Sequence, residues 1–245
     1  MSFSPDDIRH MSEAIQLARR GRFTTQPNPR VGCVIVKDGV VVGTGYHARA
    51  GGPHAEVVAL KQAGYRAYGA TAYVTLEPCA HHGRTPPCAN ELVIAGLKRV
   101  VVAMEDPNPL VAGKGMDILR QAGITAESDL LADEARALNP GFLRRIKGGL
   151  PWTRVKLAAS LDGRTAMASG ESQWITSPEA RRDVQRLRAR HDAVLSSAET
   201  VLADNASLTV RWDELPASVK AAYPKETLRQ PLRVIVDSQN RLTPD

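Results

Sequence analysis

Cysteine is scarce. Three residues in 245, Cys33, Cys79 and Cys88, are too few and too odd in number for a disulfide framework, so they read as packing residues or metal ligands in a reducing compartment. Aromatic residues make up only 4% of the chain, which argues against a surface that stacks the bases of single-stranded nucleic acid. No apolar run reaches the 18 residues that suggest a membrane span. The acidic start from Met1 to Asp7 lacks the basic-then-apolar layout of a secretory signal. Nor is charge of one sign concentrated anywhere: the net +6 divides into an excess of three on either side of residue 145, leaving no basic arm to coat nucleic acid. These absences point to a cytoplasmic protein with neither a membrane nor a nucleic-acid partner.

What is present is ordinary globular composition, 43% hydrophobic and 24% charged, in a length that suits one large domain or two modest ones. Ser4 stands where a helix N-cap belongs, with Pro5 at the first helical position and Asp6 and Asp7 near the positive end of the dipole. Ile8, Met11, Ile15 and Ala18 form the apolar stripe of that helix, and Gly21 can end it. Two apolar runs, 31–36 and 40–44, flank Lys37-Asp38-Gly39, a hairpin signal. Because both runs are almost wholly apolar, they predict strands covered on both faces. Further along, helices are expected from His54 to Gly64, over 88–95 and after Gly115, and strands over 71–76, 99–104 and around Ile124. Ser128 is expected to cap one long amphipathic helix reaching about Arg145. Strands alternating with helices predict a layered α/β domain. Lys147-Gly148-Gly149-Leu150-Pro151 reads as the domain boundary. Beyond it the pattern restarts, with strands expected over 153–158, 193–196 and 232–237 and a helix capped by Ser177 reaching about Arg190.

The strongest chemical signal is His54-Ala55-Glu56, followed by Pro78-Cys79 and then Cys88. One imidazole and two thiolates make three ligands, the number a catalytic zinc uses while keeping a position open for water. Glu56, two residues past His54 at a predicted helix start, is placed to move protons without binding metal. The pattern is that of the zinc base deaminases, except that eight residues rather than two separate the cysteines. His81 and His82, inside that insert, are further candidate ligands by spacing alone, while Cys33, within an apolar strand, reads as a packing residue.

Asn28-Pro29-Arg30-Val31-Gly32, the His-Ala-Glu triplet and the insert from Cys79 to Cys88 together resemble the bifunctional deaminase–reductases of riboflavin biosynthesis. The likeness spans nearly the whole chain. It implies a three-layer α/β/α cytidine-deaminase-like domain over 1–146, a linker over 147–151, and a truncated dihydrofolate-reductase-like α/β domain over 152–245. It further implies hydrolytic deamination of a diaminopyrimidinone carrying a phosphoribosylamino group, with Glu56 as proton carrier and Asn28, His47, His81 and Arg84 contacting the substrate.

After the boundary, the segments 156–164, 172–176 and 200–211 resemble the reductase half of the same family, which uses NADPH to reduce the ribosyl side chain to ribityl. The resemblance places Ala158, Trp174, Thr200, Asp204 and Ser238 on the cofactor, and Lys156, Ser172, Arg188, Leu208 and Arg211 on the substrate. Arginine suits that role because its planar fork matches phosphate oxygens. Without the resemblance, the arginines from Arg181 to Arg190 read as a solvated helix face, and no Gly-x-Gly-x-x-Gly supports a Rossmann fold. Relatives continue past the position of Asp245, so an incomplete cofactor site and doubtful reductase activity are expected of this chain. Self-association is expected through a complete reductase half. The competing readings are a tRNA base deaminase, which shares the zinc motif, and a non-catalytic zinc or nucleotide-binding module. Glu56 counts against the latter, since a structural zinc needs no proton carrier.

Overall fold

The computed structural model describes residues 3–80, 87–109 and 112–243. The chain forms two units, Met1–Trp152 and Thr153–Asp245.

The first unit opens with α1 (Pro5–Ala18), capped by Ser4 as expected and closed further as a capping box: Asp7 N donates to the Ser4 hydroxyl at 3.1 Å, and Ser4 N donates back to the Asp7 carboxylate at 2.9 Å. The hairpin follows as β1 (Gly32–Lys37) and β2 (Val40–Tyr46). Its turn has positive φ at both Asp38 and Gly39, the type I′ geometry that matches strand twist. Next come α2 (Ala55–Ala63), β3 (Thr71–Val74), α3 (Cys88–Ile94), β4 (Arg99–Val102), α4 (Lys114–Gln121), β5 (Thr125–Glu127), α5 (Ala132–Leu138) and α6 (Pro140–Ile146). The sheet order is β2-β1-β3-β4-β5, with β1 antiparallel to both neighbours and β3, β4 and β5 parallel.

The apolar strand runs are explained by two cores. Cys33, Ile35, Ala72, Val74, Val100 and Val102 point to the side covered by α2, α3 and α4, while Val34, Val36, Tyr73 and Val101 point to the side covered by α1 and α5. Alternate residues therefore serve opposite layers, and both must be apolar. β2 departs from the expectation of two covered faces. It is an edge strand, and Val40 and Val41 are exposed. At its inner side Gly43 and Gly45 let α2 lie close: an added Cβ would come within 2.2 Å of the Ala59 and Ala55 carbonyl oxygens respectively. The long helix expected after Ser128 is two helices instead. Pro140 has no N–H to continue the first, and the Asn139 side chain turns back to bond the Arg30 backbone through both its oxygen (2.8 Å) and its nitrogen (2.9 Å).

The second unit contains α7 (Pro178–Ala189), capped by Ser177 as expected, β6 (Ala193–Ser197), α8 (Ala198–Asp204), α9 (Ala217–Lys220) and β7 (Leu232–Val236), with β6 and β7 paired in parallel. The segment between the strands holds more helix than its polar, loop-like sequence suggests. The strand expected over 153–158 is not formed: no described strand pairs with it, and Val155 and Leu157 remain exposed. An apolar run becomes a strand only beside a hydrogen-bonding neighbour. Among the described residues no helix is long and apolar enough to cross a membrane.

Candidate metal centre

The first unit gathers its chemistry at the sheet's edge of helix starts. His54 is the N-cap of α2, Cys79 follows the end of β3, and Cys88 opens α3. The His54 ring Nδ1 lies 3.0 Å from Cys88 Sγ and 3.7 Å from Cys79 Sγ, and the three ligand atoms all lie within 4.8 Å of one another. A tetrahedral zinc with Zn–S of about 2.3 Å and Zn–N of about 2.0–2.1 Å separates such atoms by about 3.5–3.8 Å, so the donor set and its spacing fit that ion. Among the described residues this is the one group of three or more His, Cys, Asp or Glu side chains able to hold a metal. His81, His82 and Arg84 lie outside the described residues.

Each group's ionisation follows from its neighbours. The Cys88 thiol beside Cys79, aided by the His54 ring, draws the Cys79 pKa down to about 4 although burial opposes it. Cys88 is pushed up, because its thiol hydrogen-bonds the Cys79 sulfur and burial disfavours its charged form. The hydrogen bond that its ring N–H donates to the Cys79 sulfur raises His54. Glu56 is buried in the first turn of α2, and burial lifts its carboxyl to about 7, opposed in part by its own backbone N–H and by His54. A carboxyl buried at that value, beside a metal-ligand cluster, is suited to taking and returning protons at neutral pH.

Asn28 and His47 are brought together next to the cluster. His47 Nδ1 lies 3.0 Å from the Pro53 carbonyl and so carries the hydrogen, which leaves Nε2 to accept from Asn28 Nδ2 at 3.2 Å. Burial lowers the His47 pKa, in keeping with a neutral ring, and the ring meets His54 edge-on at 5.5 Å between centroids. Sequence reasoning passed over Glu77, a buried carboxylate immediately before Pro78-Cys79, although a charged residue in an apolar strand end is itself a signal. A recess of about 260 Å³ bordered by Met104, Asp129, Arg136 and Lys147 shares no residue with the cluster.

In the second unit the sequence-nominated residues are more dispersed in environment. Lys156, Thr200, Asp204 and Ser238 are exposed, and Ala158 and Ser172 half-buried. Trp174 is exposed and carries the Arg181 guanidinium 4.2 Å from its ring centre. Arg188 is not on a solvated face: it donates to the Thr209 carbonyl at 2.9 Å, beside buried Leu208, and its pKa is lowered by burial and by nearby Arg211. Arg211 itself pairs with Glu214 at 2.6 Å.

A three-layer α/β/α unit presenting one imidazole and two cysteine sulfurs, His54 and Cys88 at helix starts and Cys79 in the loop after β3, defines a zinc-binding domain of the cytidine-deaminase-like class. The family model for the cytidine and deoxycytidylate deaminase zinc-binding region matches residues 4–104, and that for the RibD C-terminal domain matches 151–245. Over nearly its whole length the chain is RibD-like. It is 64% identical over 238 residues to the riboflavin biosynthesis protein RibD of Escherichia coli, covering 97% of this chain and 65% of that relative. A solved structure of Acinetobacter baumannii RibD superposes with a TM-score of 0.91 at 57% identity, covering 97% of this chain and 65% of the other. A Thermotoga maritima structure, a diaminohydroxyphosphoribosylaminopyrimidine deaminase and 5-amino-6-(5-phosphoribosylamino)uracil reductase, gives 0.86 at 40% identity over 98% and 65% of the two chains. The chain thus spans just under two thirds of the length of these relatives.

Proposed function

We propose that the first unit is a zinc-dependent deaminase that converts a diaminopyrimidinone bearing a phosphoribosylamino group into the corresponding aminouracil and ammonia. The observation that carries this reading is the convergence of His54, Cys79 and Cys88 with a buried, high-pKa carboxyl at Glu56. His54, Cys79 and Cys88 would hold zinc, which when bound supplies Lewis acidity and lowers the pKa of a coordinated water. Glu56 accepts a proton from the attacking water and delivers it to the pyrimidine ring nitrogen, then takes the proton of the added hydroxyl and hands it to the departing amine, so that water enters and ammonia leaves. His47 holds the Asn28 amide with its nitrogen inward, which turns the Asn28 carbonyl oxygen towards a donor on the pyrimidine. His81 and Arg84 are assigned to the substrate on the resemblance alone.

The domain assignment follows the same reading: a deaminase domain over 1–146, a linker over 147–151, and reductase residues over 152–245. For the second unit, Ala158, Trp174, Thr200, Asp204 and Ser238 are assigned to NADPH, and Lys156, Ser172, Arg188, Leu208 and Arg211 to the phosphorylated product of the first reaction. Half-buried Arg188 beside Arg211 supports the anion-binding part of that assignment. The unpaired cysteines suit a cytoplasmic enzyme, and self-association through the reductase half follows the family resemblance.

The test is ammonia release by the purified chain. With one zinc per chain, ammonia is expected from the phosphoribosylaminopyrimidine, and treatment with a chelator is expected to remove it until zinc is restored. Release from tRNA but not from the small pyrimidine would overturn the substrate assignment.

A further inference from the structure

Glu77 is buried two residues before the Cys79 ligand and bonds only to backbone N–H groups in the described structure. Its Oε1 accepts from Gly115 at 2.8 Å and Met116 at 3.3 Å, in the first turn of α4, and its Oε2 accepts from Asp106 and Gly113, each at 3.0 Å. Its own N–H donates to the Met104 carbonyl at 3.0 Å, just past β4. One side chain therefore ties the end of β3 to the loop after β4 and to the start of α4. The next residue locks in from the same side. The Pro78 carbonyl oxygen lies where a Cβ on Gly115 would stand, at 2.0 Å, and such a Cβ would also be 3.1 Å from Glu77 Oε1. Cys79 is then gripped from its other side, with Cys88 N directed at its sulfur at 3.3 Å and Ala89 N at its carbonyl at 3.2 Å.

We propose that Glu77, seated against Gly115, is a positioning residue that sets where Cys79 presents its sulfur to the metal. Resting on the deaminase reading only for the identity of the ligands, this adds a residue beyond the ligand set. Only a carboxylate meets the geometry. Each of its oxygens faces two donors, so a glutamine of the same shape would aim its NH2 at two backbone N–H groups and leave them unsatisfied. The segment 77–79 would then relax away from α4, and the ligand with it. Groups that orient metal ligands from behind change metal affinity by about 10–100-fold when removed.

The experiment measures zinc affinity by competition with a chromophoric chelator, well below the melting temperature, in the full chain, Glu77→Gln, Gly115→Ala and Asp7→Asn. The last disrupts an ion pair on the opposite face of the sheet and controls for a general loss of stability. Glu77→Gln is expected to bind zinc at least tenfold more weakly, and Gly115→Ala likewise, while Asp7→Asn stays within twofold of the parent. Cobalt-loaded Glu77→Gln is expected to show weaker thiolate-to-cobalt charge-transfer absorption per bound ion. Zinc affinity within twofold of the parent in folded Glu77→Gln overturns the inference. If that variant does not fold, Gly115→Ala, which pushes on the same joint from the helix side, decides by the same criterion. A parent chain that binds no zinc overturns the metal assignment itself, and the inference with it.

Discussion

Glu56→Gln is expected to slow ammonia release by about 10²–10⁴-fold, the range for removing a general acid–base group. The substitution keeps shape and volume but removes the ability to accept a proton, and proton movement is the role its position allows. Burial already disfavours the charged form of this side chain, so neutral glutamine costs the fold little. Zinc stoichiometry is expected to stay at one per chain, which separates a lost proton carrier from a lost metal. A variant that retains zinc and loses less than threefold in rate would remove Glu56 from the chemistry.

The largest expected stability effect lies on the other side of the sheet. Asp7, on α1, receives the Tyr73 hydroxyl at 2.7 Å and the Arg99 guanidinium at 2.6 Å, and Arg99 continues to Glu127. Burial alone would raise the Asp7 pKa, but Arg99, the Ser4 backbone N–H and Tyr73 outweigh it and hold the carboxyl well below the usual carboxylate range. Asp7→Asn leaves Arg99 with one carboxylate. Breaking a fully buried pair costs about 3–5 kcal/mol. Because Arg99 is a quarter exposed and keeps Glu127, we expect about 2–3 kcal/mol, seen as a fall in melting temperature of about 5–10 °C for a unit of this size. The pH dependence has a definite sign. With the folded pKa depressed below about 3.9, the value expected unfolded, this stabilisation is complete at pH 6 and fades as the pH falls through 4. The parent is therefore expected to lose stability over that acid range more steeply than Asp7→Asn. Parallel curves for the two would show that the pair contributes nothing.

How far these features were legible in the sequence depended on how far apart their partners lie. The metal trio was readable because few residue types ligate zinc, and because His-x-Glu falls at a helix start whatever surrounds it. The hairpin turn was readable for a similar reason, since Asp38-Gly39 satisfies a backbone requirement within two residues. Asp7 looked like a helix-dipole residue, because nothing local reveals an arginine 92 residues later beneath it. Glu77 was invisible as a clamp since its partners are backbone N–H groups, which carry no residue signature. Pro140 did announce the break after Leu138, but the amphipathic rhythm on both sides argued for one helix. The run 153–158 is the reverse case: its apolar composition suits a strand, but no described strand lies alongside it.

The close seating of α2 on Gly43 and Gly45 divides the evolutionary freedom of β2 unevenly. Its exposed residues at the hairpin end, Val40 and Val41, can change in size and polarity with little consequence for the centre below. Its inward glycines cannot gain even a methyl group without levering the helix that bears His54 and Glu56. A peripheral strand thus carries on one side a steric requirement that reaches the helix bearing His54 and Glu56.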